Sequence, residues 1–158
     1  MKPDPKLRRI APDAMPDDIA SAWRHSMDLR GDATFFEVFA NHPELYRWYV
    51  NQFYGNVFRG GKVAQRYKEL LRLRLSTLHG CRFCNQGNRL DALEAGLTEA
   101  QIAAFESPES GPFTPAELAV LALGTELALT NSTGVLSEAS HGQLAAYFDD
   151  AQILELGL

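Results

Sequence analysis

The residues with the clearest chemical potential are two cysteines separated by two positions, in the segment Cys81-Arg82-Phe83-Cys84. The segment follows His79-Gly80, which interrupts a helical pattern, so we expect it to begin a new helix. Unpaired backbone N–H groups and the helix dipole at that position favour the thiolate, the reactive form of cysteine. Two intervening residues let the sulfur atoms meet within one turn. The spacing therefore predicts thiol–disulfide chemistry, in which one sulfur attacks a peroxide or a disulfide and the other resolves the product.

Two other interpretations of the cysteine pair stay open at this point. The cysteines can be ordinary buried thiols, or they can bind zinc. A closed structural zinc site needs four ligands, and only His79 stands near the pair, whereas the other three histidines are distant and show no ligand spacing: His25, His42 and His141. A thioredoxin-type domain is disfavoured because the strands of a βαβ unit are missing.

Glu69 is the nearest candidate for an acid–base partner of the cysteines. It lies twelve residues before Cys81, on the preceding predicted helix. If the two helices pack antiparallel, a rise of about 1.5 Å per residue places Glu69 at the level of Asn88 or slightly beyond. A carboxylate buried there can accept a thiol proton through a side chain or a water molecule. Arg66 and Arg72 are each three residues from Glu69, so a surface salt-bridge network explains this glutamate equally well.

Helical periodicity dominates the remaining sequence, and no convincing strand pattern appears. Residues 1–16 contain four prolines and are expected to form an irregular arm, followed by a single helical domain over residues 17–158. Asp17-Asp18 is expected to cap the first helix, and residues 131–134 are expected to form a break. With the other caps and breaks they delimit the predicted helices: 17–29, 34–40, 43–59, 62–78, 81 or 82 to 95, a short one after Thr98, 114–129, one from Ser137 and 151–158. The helix over 62–78 is apolar around much of its circumference, which is typical of a helix in the middle of a bundle or at an oligomer interface. This series of helices with short loops predicts an all-α bundle.

Composition narrows the classes of function. The chain has 158 residues, 46% of them hydrophobic and 22% charged, with a net charge of −5, so nucleic-acid binding is not expected. No apolar stretch is long enough to span a membrane, and the first residues show no secretory signal. We therefore expect a cytoplasmic protein that acts on neither membrane nor nucleic acid. The one basic cluster, on the 62–78 helix, is interpreted as a solvated helix surface: Arg66, Lys68, Arg72 and Arg74.

The spacing of these residues resembles the alkylhydroperoxidase D-like branch of the carboxymuconolactone decarboxylase family. That family's pattern is a glutamate, eleven residues, Cys-x-x-Cys, three residues and a histidine, on a helix that ends near a glycine. Residues 69–97 resemble this pattern, with Glu69, Cys81, Cys84 and Gly96 at the corresponding positions. Asn41-His42-Pro43-Glu44-Leu45 and Gly60-Gly61 also read like the family, and the similarity extends over most of residues 34–158.

The resemblance implies an alkylhydroperoxidase D-like helical bundle that assembles as a homo-oligomer and reduces hydroperoxides. It implies that Cys84 attacks the peroxide, that Cys81 resolves the product and that Glu69 is the base, whereas the helix dipole alone favours Cys81 as the attacking thiol. It implies an external thiol reductant and no cofactor or metal. Decarboxylase activity is less expected, since that branch generally lacks the cysteine pair. The alternative, from another class of function, is a non-catalytic helical subunit that forms oligomers.

One departure from the family pattern bears on activity. Asn88 occupies the histidine position, four residues after Cys84 on the same helix face. Asparagine is no base near neutral pH, although its amide can orient a water molecule or a thiol. The histidine often found between the cysteines is Phe83 here. His79 either substitutes for the missing base or serves only as a residue at a helix C-terminus, where it meets the dipole.

Overall fold

The computed structural model describes residues 5–130 and 134–158, and every regular element within these ranges is helical, which confirms the all-α prediction. None of the helices in this part of the chain is long and apolar enough to cross a membrane. The helices are α1 (Asp17–Arg30), α2 (Thr34–Phe39), α3 (Pro43–Trp48), α4 (Gln65–Leu78), α5 (Arg82–Glu94), α6 (Glu99–Ala103), α7 (Pro115–Thr125), α8 (Glu138–Ala145) and α9 (Asp150–Leu156). Wider π-type turns extend α3 over Tyr49–Arg59 and α7 over Glu126–Thr130, and single 3-10 turns occupy Pro12–Ala14, Ala104–Glu106 and Pro108–Ser110.

Local sequence signals place most helix ends within a few residues of their predicted positions. Thr98 and Thr114 each form a capping box with the residue three positions later. Gly31 and Gly96 have φ values of +66° and +92°, in the left-handed region that ends helices. The prediction that Asp17-Asp18 caps α1 is wrong, because Pro16 is the N-cap and the two carboxylates lie in the first turn. Of the predicted break at 131–134, only Gly134 lies within the described residues.

The described residues group into two compact units that divide between Gly60 and Gly61. In the first unit, Pro12–Ala14 forms one turn in the otherwise irregular stretch over residues 5–16, and the Ile10 N–H donates to the Glu37 carbonyl at 2.9 Å. Met15 is buried in the core of this unit together with Ile19. The prediction of one helical domain over residues 17–158 is not tested by this grouping and stays a prediction.

Aromatic side chains dominate the later part of the first unit. Tyr49 stacks on Phe53, with ring centroids 5.8 Å apart, and further ring contacts continue to Phe58. These rings are half-buried, but Trp48 is 58% exposed. Aromatic residues at helical spacing are expected in the core, and for Trp48 that expectation is wrong because it lies about 200° around α3 from the buried Tyr46.

The second unit is built around α4, which packs against α5 and α7. Its apolar face supplies the buried side chains of Leu70, Leu71 and Leu73, which meet Val120 and Leu121 of α7 in one hydrophobic core. This arrangement confirms that the helix predicted over 62–78 lies in the middle of the packing, although it begins at Gln65 because Ala64 is its extended N-cap.

The prediction that the basic residues of α4 form a solvated surface is wrong. Lys68 is 5% exposed and its Nζ lies 2.5 Å from the Glu155 carboxylate, while Arg74 is 9% exposed. Arg66 donates to Glu117 and to Gln101. Because α4 is covered on more than one side, its cationic side chains end at acceptors inside the protein rather than in water.

Glu117 is the most deeply buried carboxylate among these partners, with 2% exposure. It receives hydrogen bonds from the Arg66 side chain at 2.7 Å and from the Thr114 N–H at 2.8 Å. Burial raises the pKa of Glu117, but the bonds from Thr114 and Arg66 together outweigh it, so the pKa lies below its ordinary value of 4.5. Glu117 therefore joins α4 to the start of α7 as a charged group.

We expect Glu117→Ala to lower the free energy of unfolding by about 2–4 kcal/mol at pH 7, because the change leaves Arg66 without its buried partner and removes a capping bond. Since the pKa of Glu117 is lowered in the folded state, its contribution is present above the ordinary glutamate pKa and is lost as the pH falls through the folded value. Urea unfolding at several pH values measures both effects.

Glu99→Ala is the matched control, since this glutamate also pairs with an arginine, Arg89, but its side chain is 64% exposed. An exposed pair contributes at most about 1 kcal/mol. Equal losses of stability in the two variants would contradict the structural role assigned to Glu117.

Candidate functional site

The turn between α4 and α5 positions the cysteine pair. Gly80 has a φ of +64°, in the left-handed region that favours glycine, and this turn reverses the chain direction directly after α4. The Cys81 N–H then donates to the Ser76 carbonyl at 3.0 Å, which ties the start of α5 to the last turn of α4. Cys81 is the N-cap residue of α5, as the position of the helix break predicts.

Cys81 and Cys84 form a disulfide, with their Cα atoms 5.3 Å apart. Both residues are partly buried rather than sealed in the core, and the Cys84 N–H points at the Cys81 sulfur at a distance of 3.3 Å. Across residues 5–130 and 134–158, no group of three or more His, Cys, Asp or Glu side chains is arranged to hold a metal ion. A disulfide between these two cysteines can store and release two electrons as a dithiol–disulfide couple.

Glu69 lies on α4 below this turn and is 4% exposed. Its Oε1 accepts a hydrogen bond from Gln65 Nε2 at 2.8 Å, and its Oε2 accepts one from Arg72 Nη2. Of the two arginines weighed as salt-bridge partners, Arg72 pairs with Glu69, whereas Arg66 turns to Glu117. The salt-bridge interpretation is therefore right for Arg72 and wrong for Arg66, and Glu69 is buried between helices rather than exposed on the surface.

Arg72 also connects Glu69 to α5. The same Nη2 atom lies 2.5 Å from Asp91 Oδ2, so the carboxylate oxygens of Glu69 and Asp91 are at most 5 Å apart. Asp91 stands seven residues beyond Cys84, which is roughly 10 Å along the helix. Glu69 is therefore level with the middle of α5, near Asn88, and a proton passing between it and the sulfurs needs an intermediary.

Burial governs the acidity of Glu69. Desolvation raises its pKa above the ordinary value, and the nearby charge of Asp91 acts in the same direction. The charge of Arg72 and the hydrogen bonds from Gln65 and Arg72 oppose the rise without cancelling it. A glutamate whose pKa is shifted towards neutrality is better suited to accept and return a proton than an exposed one.

Amide side chains line the same region. Asn88 is partly buried, and Asn85, one turn closer to the cysteines, carries a buried Oδ1 with no hydrogen-bond partner among the described residues. Gln65 Oε1 is likewise buried without a partner in the ranges described. Such oxygens accept hydrogen bonds from water or from a bound hydroxyl.

His79 is exposed at the C-cap of α4, two residues before Cys81.

Sequence reasoning missed Gln65 and Asp91. Gln65 stands four residues before Glu69 and therefore on the same helix face, a signal that was available from spacing. Asp91 is brought to the site only by the register of two packed helices, and no local pattern marks it.

Comparison with known proteins supplies the family. A sequence model described as the carboxymuconolactone decarboxylase family matches residues 43–126, which is more than half of the chain. The chain belongs to the carboxymuconolactone decarboxylase family. The match includes Glu69, both cysteines and Asn88.

Two similar proteins are consistent with this assignment. The uncharacterized protein YdfG of Bacillus subtilis is 32% identical over 92 residues, which span 58% of this chain and 62% of that relative. A crystal structure described as the alkylhydroperoxidase AhpD core, an uncharacterized peroxidase-related protein from Ralstonia eutropha, aligns with 99% of this chain and 83% of its own at a TM-score of 0.63. At 17% identity this likeness concerns the fold, and it confirms the predicted alkylhydroperoxidase D-like helical bundle.

We expect Arg72→Gln to raise the pKa of Glu69 further, because the substitution removes the positive charge that opposes desolvation and leaves Asp91 uncompensated beside it. A carboxyl-carbon NMR titration measures the pKa, with Glu69→Gln used to assign the signal. Arg89→Gln, which removes an exposed arginine elsewhere on α5, should leave it unchanged. A lower pKa in the Arg72 variant would show that another group controls this carboxylate.

Proposed function

We propose that this member of the family is a thiol-dependent peroxidase or disulfide reductase that works through Cys81 and Cys84. The observation that carries the proposal is the partly accessible disulfide at the first turn of α5, beside a helix that holds a buried glutamate. The alkylhydroperoxidase-like fold favours a peroxidase-related role in general terms. The hydroperoxide substrate, the external thiol reductant and a homo-oligomeric assembly stay predictions.

The proposed reaction transfers two electrons from the dithiol to the peroxide. The attacking thiolate forms a bond to one peroxide oxygen, the O–O bond breaks, and the alkoxide leaves and takes up a proton as the alcohol. The resulting sulfenic acid is attacked by the second sulfur, which forms the disulfide and releases hydroxide that is protonated to water. The two protons come from the two thiols. An external dithiol then restores the reduced pair by disulfide exchange.

The family resemblance and the local geometry favour different sulfurs as the attacking thiol. The family resemblance assigns the attack to Cys84, which shares a helix face with Asn88. The Cys84 N–H directed at the Cys81 sulfur favours Cys81 as the more easily ionised thiol, since a backbone donor at a helix N-terminus stabilises the anion. We retain Cys84 as the attacking sulfur and Cys81 as the resolving one, and the two assignments give different outcomes with single variants.

Glu69 is the proposed base of this reaction, and it must act at a distance. Its carboxylate is paired with Arg72, which also contacts Asp91 of α5. Asp91 lies about two helical turns from Cys84, so Glu69 is at a similar distance from the sulfur along α5. Asn88 stands between these levels and can hold a water molecule through its amide groups. We propose that such a water molecule carries the proton between the thiol and Glu69, and that His79 plays no part in the transfer.

The replacement of the family's histidine by Asn88 favours a second candidate function. In it the protein keeps the helical bundle of the family, has little peroxidase activity and serves to form oligomers. The first unit supplies a surface for that role, because Trp48 and Leu45 are exposed on α3, at 58% and 48%. In that case the thiols would stay intact in the presence of peroxide.

We expect reduced protein to lose two thiols per chain when treated with stoichiometric organic hydroperoxide, and a dithiol to restore them. Cys84→Ser should abolish both peroxide consumption and sulfenic acid formation. Cys81→Ser should still form one sulfenic acid per chain but should not turn over, because the resolving sulfur is missing. Thiol titration and a sulfenic acid-specific reagent measure these outcomes.

The reverse pattern of the two cysteine variants would exchange their roles without affecting the proposed function. Unreactive thiols in the folded, reduced wild-type protein would overturn the proposal and favour the assembly role.

We expect Asn88→His to increase kcat/KM for hydroperoxide by about tenfold or more, because an imidazole replaces a water-holding amide with a group that itself accepts a proton. The pH–rate profile should also gain an ionisation near the ordinary histidine pKa of about 6.5. Asn88→Gln is the matched control, since it keeps an amide and adds no base. An increase with both substitutions, or with neither, would contradict the relay through this position.

A further inference from the structure

The second unit contains a groove on the side of α4 that packs against α7. It has a volume of about 640 Å³ and lies among the side chains of α7, α8 and the turn at Pro108–Ser110. Neither Glu69 nor the cysteines line it. Arg74, which reaches it from α4, stands five residues after Glu69, about 140° around the helix. The groove is therefore separate from the proposed redox site, and its size falls in the range typical of small-molecule sites.

The walls of the groove are mainly apolar. They include Pro108, Leu118, Ala119 and Ala122, with the Tyr147 ring at one side. Tyr147 is half exposed, so the groove is open to solvent at this side. Walls of this kind hold the apolar body of a ligand, but they provide neither direction nor specificity without a polar anchor.

Arg74 provides such an anchor. Only 9% of this residue is exposed, and within the described residues its guanidinium makes hydrogen bonds to two acceptors, both of them neutral. Nη1 donates to the Phe105 carbonyl, while Nε and Nη2 donate to Thr125 Oγ1 at 3.3 and 3.0 Å. A guanidinium has five N–H donors, so one on each terminal nitrogen is left beyond these bonds.

The position of Arg74 is fixed by close packing against α7. Gly124 leaves room for the arginine stem, since a Cβ atom there would lie 3.1 Å from Arg74 Cγ. Thr125 Oγ1 in turn donates to the Leu121 carbonyl at 2.9 Å, which orients its lone pairs towards the guanidinium. The cation is thus held at the groove wall before any ligand arrives, which reduces the entropy lost on binding.

The charge of Arg74 lacks a close carboxylate partner. Burial lowers the pKa of Arg74, which expresses the cost of holding this cation away from water, and the charge of Glu109 opposes that effect from a greater distance. No ion pair of Arg74 is found in residues 5–130 and 134–158, in contrast to Arg66 and Arg72 on the same helix. A buried cation with neutral partners is favourable to a ligand that brings a negative charge.

We propose that this groove binds a small monocarboxylate with an apolar body, its carboxylate on the free donors of Arg74 and its body along α7. A bidentate carboxylate matches the fork of the guanidinium. Glu106 and Glu109 lie at the edge of the groove. Their charges disfavour ligands with a second negative group, so the site should select monoanions over dianions.

Isothermal titration calorimetry of the whole protein with octanoate tests this site. Suberate and octan-1-ol, which have the same chain length, are the comparison ligands. Octanoate should bind, and suberate and octan-1-ol should each bind about tenfold more weakly or worse, since one carries a second carboxylate and the other has none. Glu109→Gln should tighten octanoate binding by removing a like charge.

Two substitutions locate the binding. Arg74→Met should weaken octanoate binding by about tenfold or more, with Arg89→Gln as the control that removes a distant exposed arginine. Should Arg74→Met fail to fold, Ala122→Phe provides the test, because its ring fills the groove from a partly buried position of α7 and leaves Arg74 in place. Absence of octanoate binding, equal binding of octan-1-ol or suberate, or unchanged binding in Ala122→Phe would each overturn the proposal.

Discussion

The second unit depends on one constraint, which is that α4 is covered by other helices and yet carries five charged side chains. An unpaired charge in such a place costs several kcal/mol, so each must find a partner within the protein. The partners come from different elements, and each pairing therefore also fixes where an element lies. The contacts are Arg66 with Glu117 of α7, Lys68 with Glu155 of α9, Glu69 through Arg72 with Asp91 of α5, and Arg74 with Thr125 of α7 and the Phe105 carbonyl.

The same constraint shapes the proposed redox site. The link from Arg72 to Asp91 sets the register of α5 against α4, and the bond from the Cys81 N–H to the Ser76 carbonyl anchors its first turn. The cysteines are thereby presented at a helix end while Glu69 remains buried two turns below. Desolvation, which the packing of α4 imposes, also raises the pKa of Glu69. The electrostatic property useful for proton transfer thus follows from how the fold is assembled.

Local signals account for what could be predicted from the sequence. Capping residues and glycines act on the adjacent backbone, and for this reason the starts of α5, α6 and α8 and the end of α5 were predictable. The burial of Glu69 was not, because spacing to Arg66 and Arg72 was equal and only packing decided which arginine pairs with it. The prediction that the basic side chains of α4 form a solvated surface was wrong for the same reason, since only packing decides which helix face is covered. Trp48 shows the opposite error, since an aromatic type at helical spacing does not reveal which face is covered.

Asn88 affects the rate of the proposed chemistry rather than its direction. In the proposed reaction the two sulfurs carry the electrons and Glu69 accepts the proton, so neither the redox equilibrium nor the proton affinity of the acceptor depends on Asn88. Asn88 changes only the path of the proton, from a side chain that titrates to a water molecule held by an amide. Water in a partly buried site transfers protons only when it is oriented, and the amides of α5, including the buried Asn85 oxygen, are groups that can orient it. A slow relay is therefore compatible with a fully competent disulfide, and reduction of disulfides, whose thiolate leaving group needs less proton delivery than an alkoxide, should suffer least from the substitution.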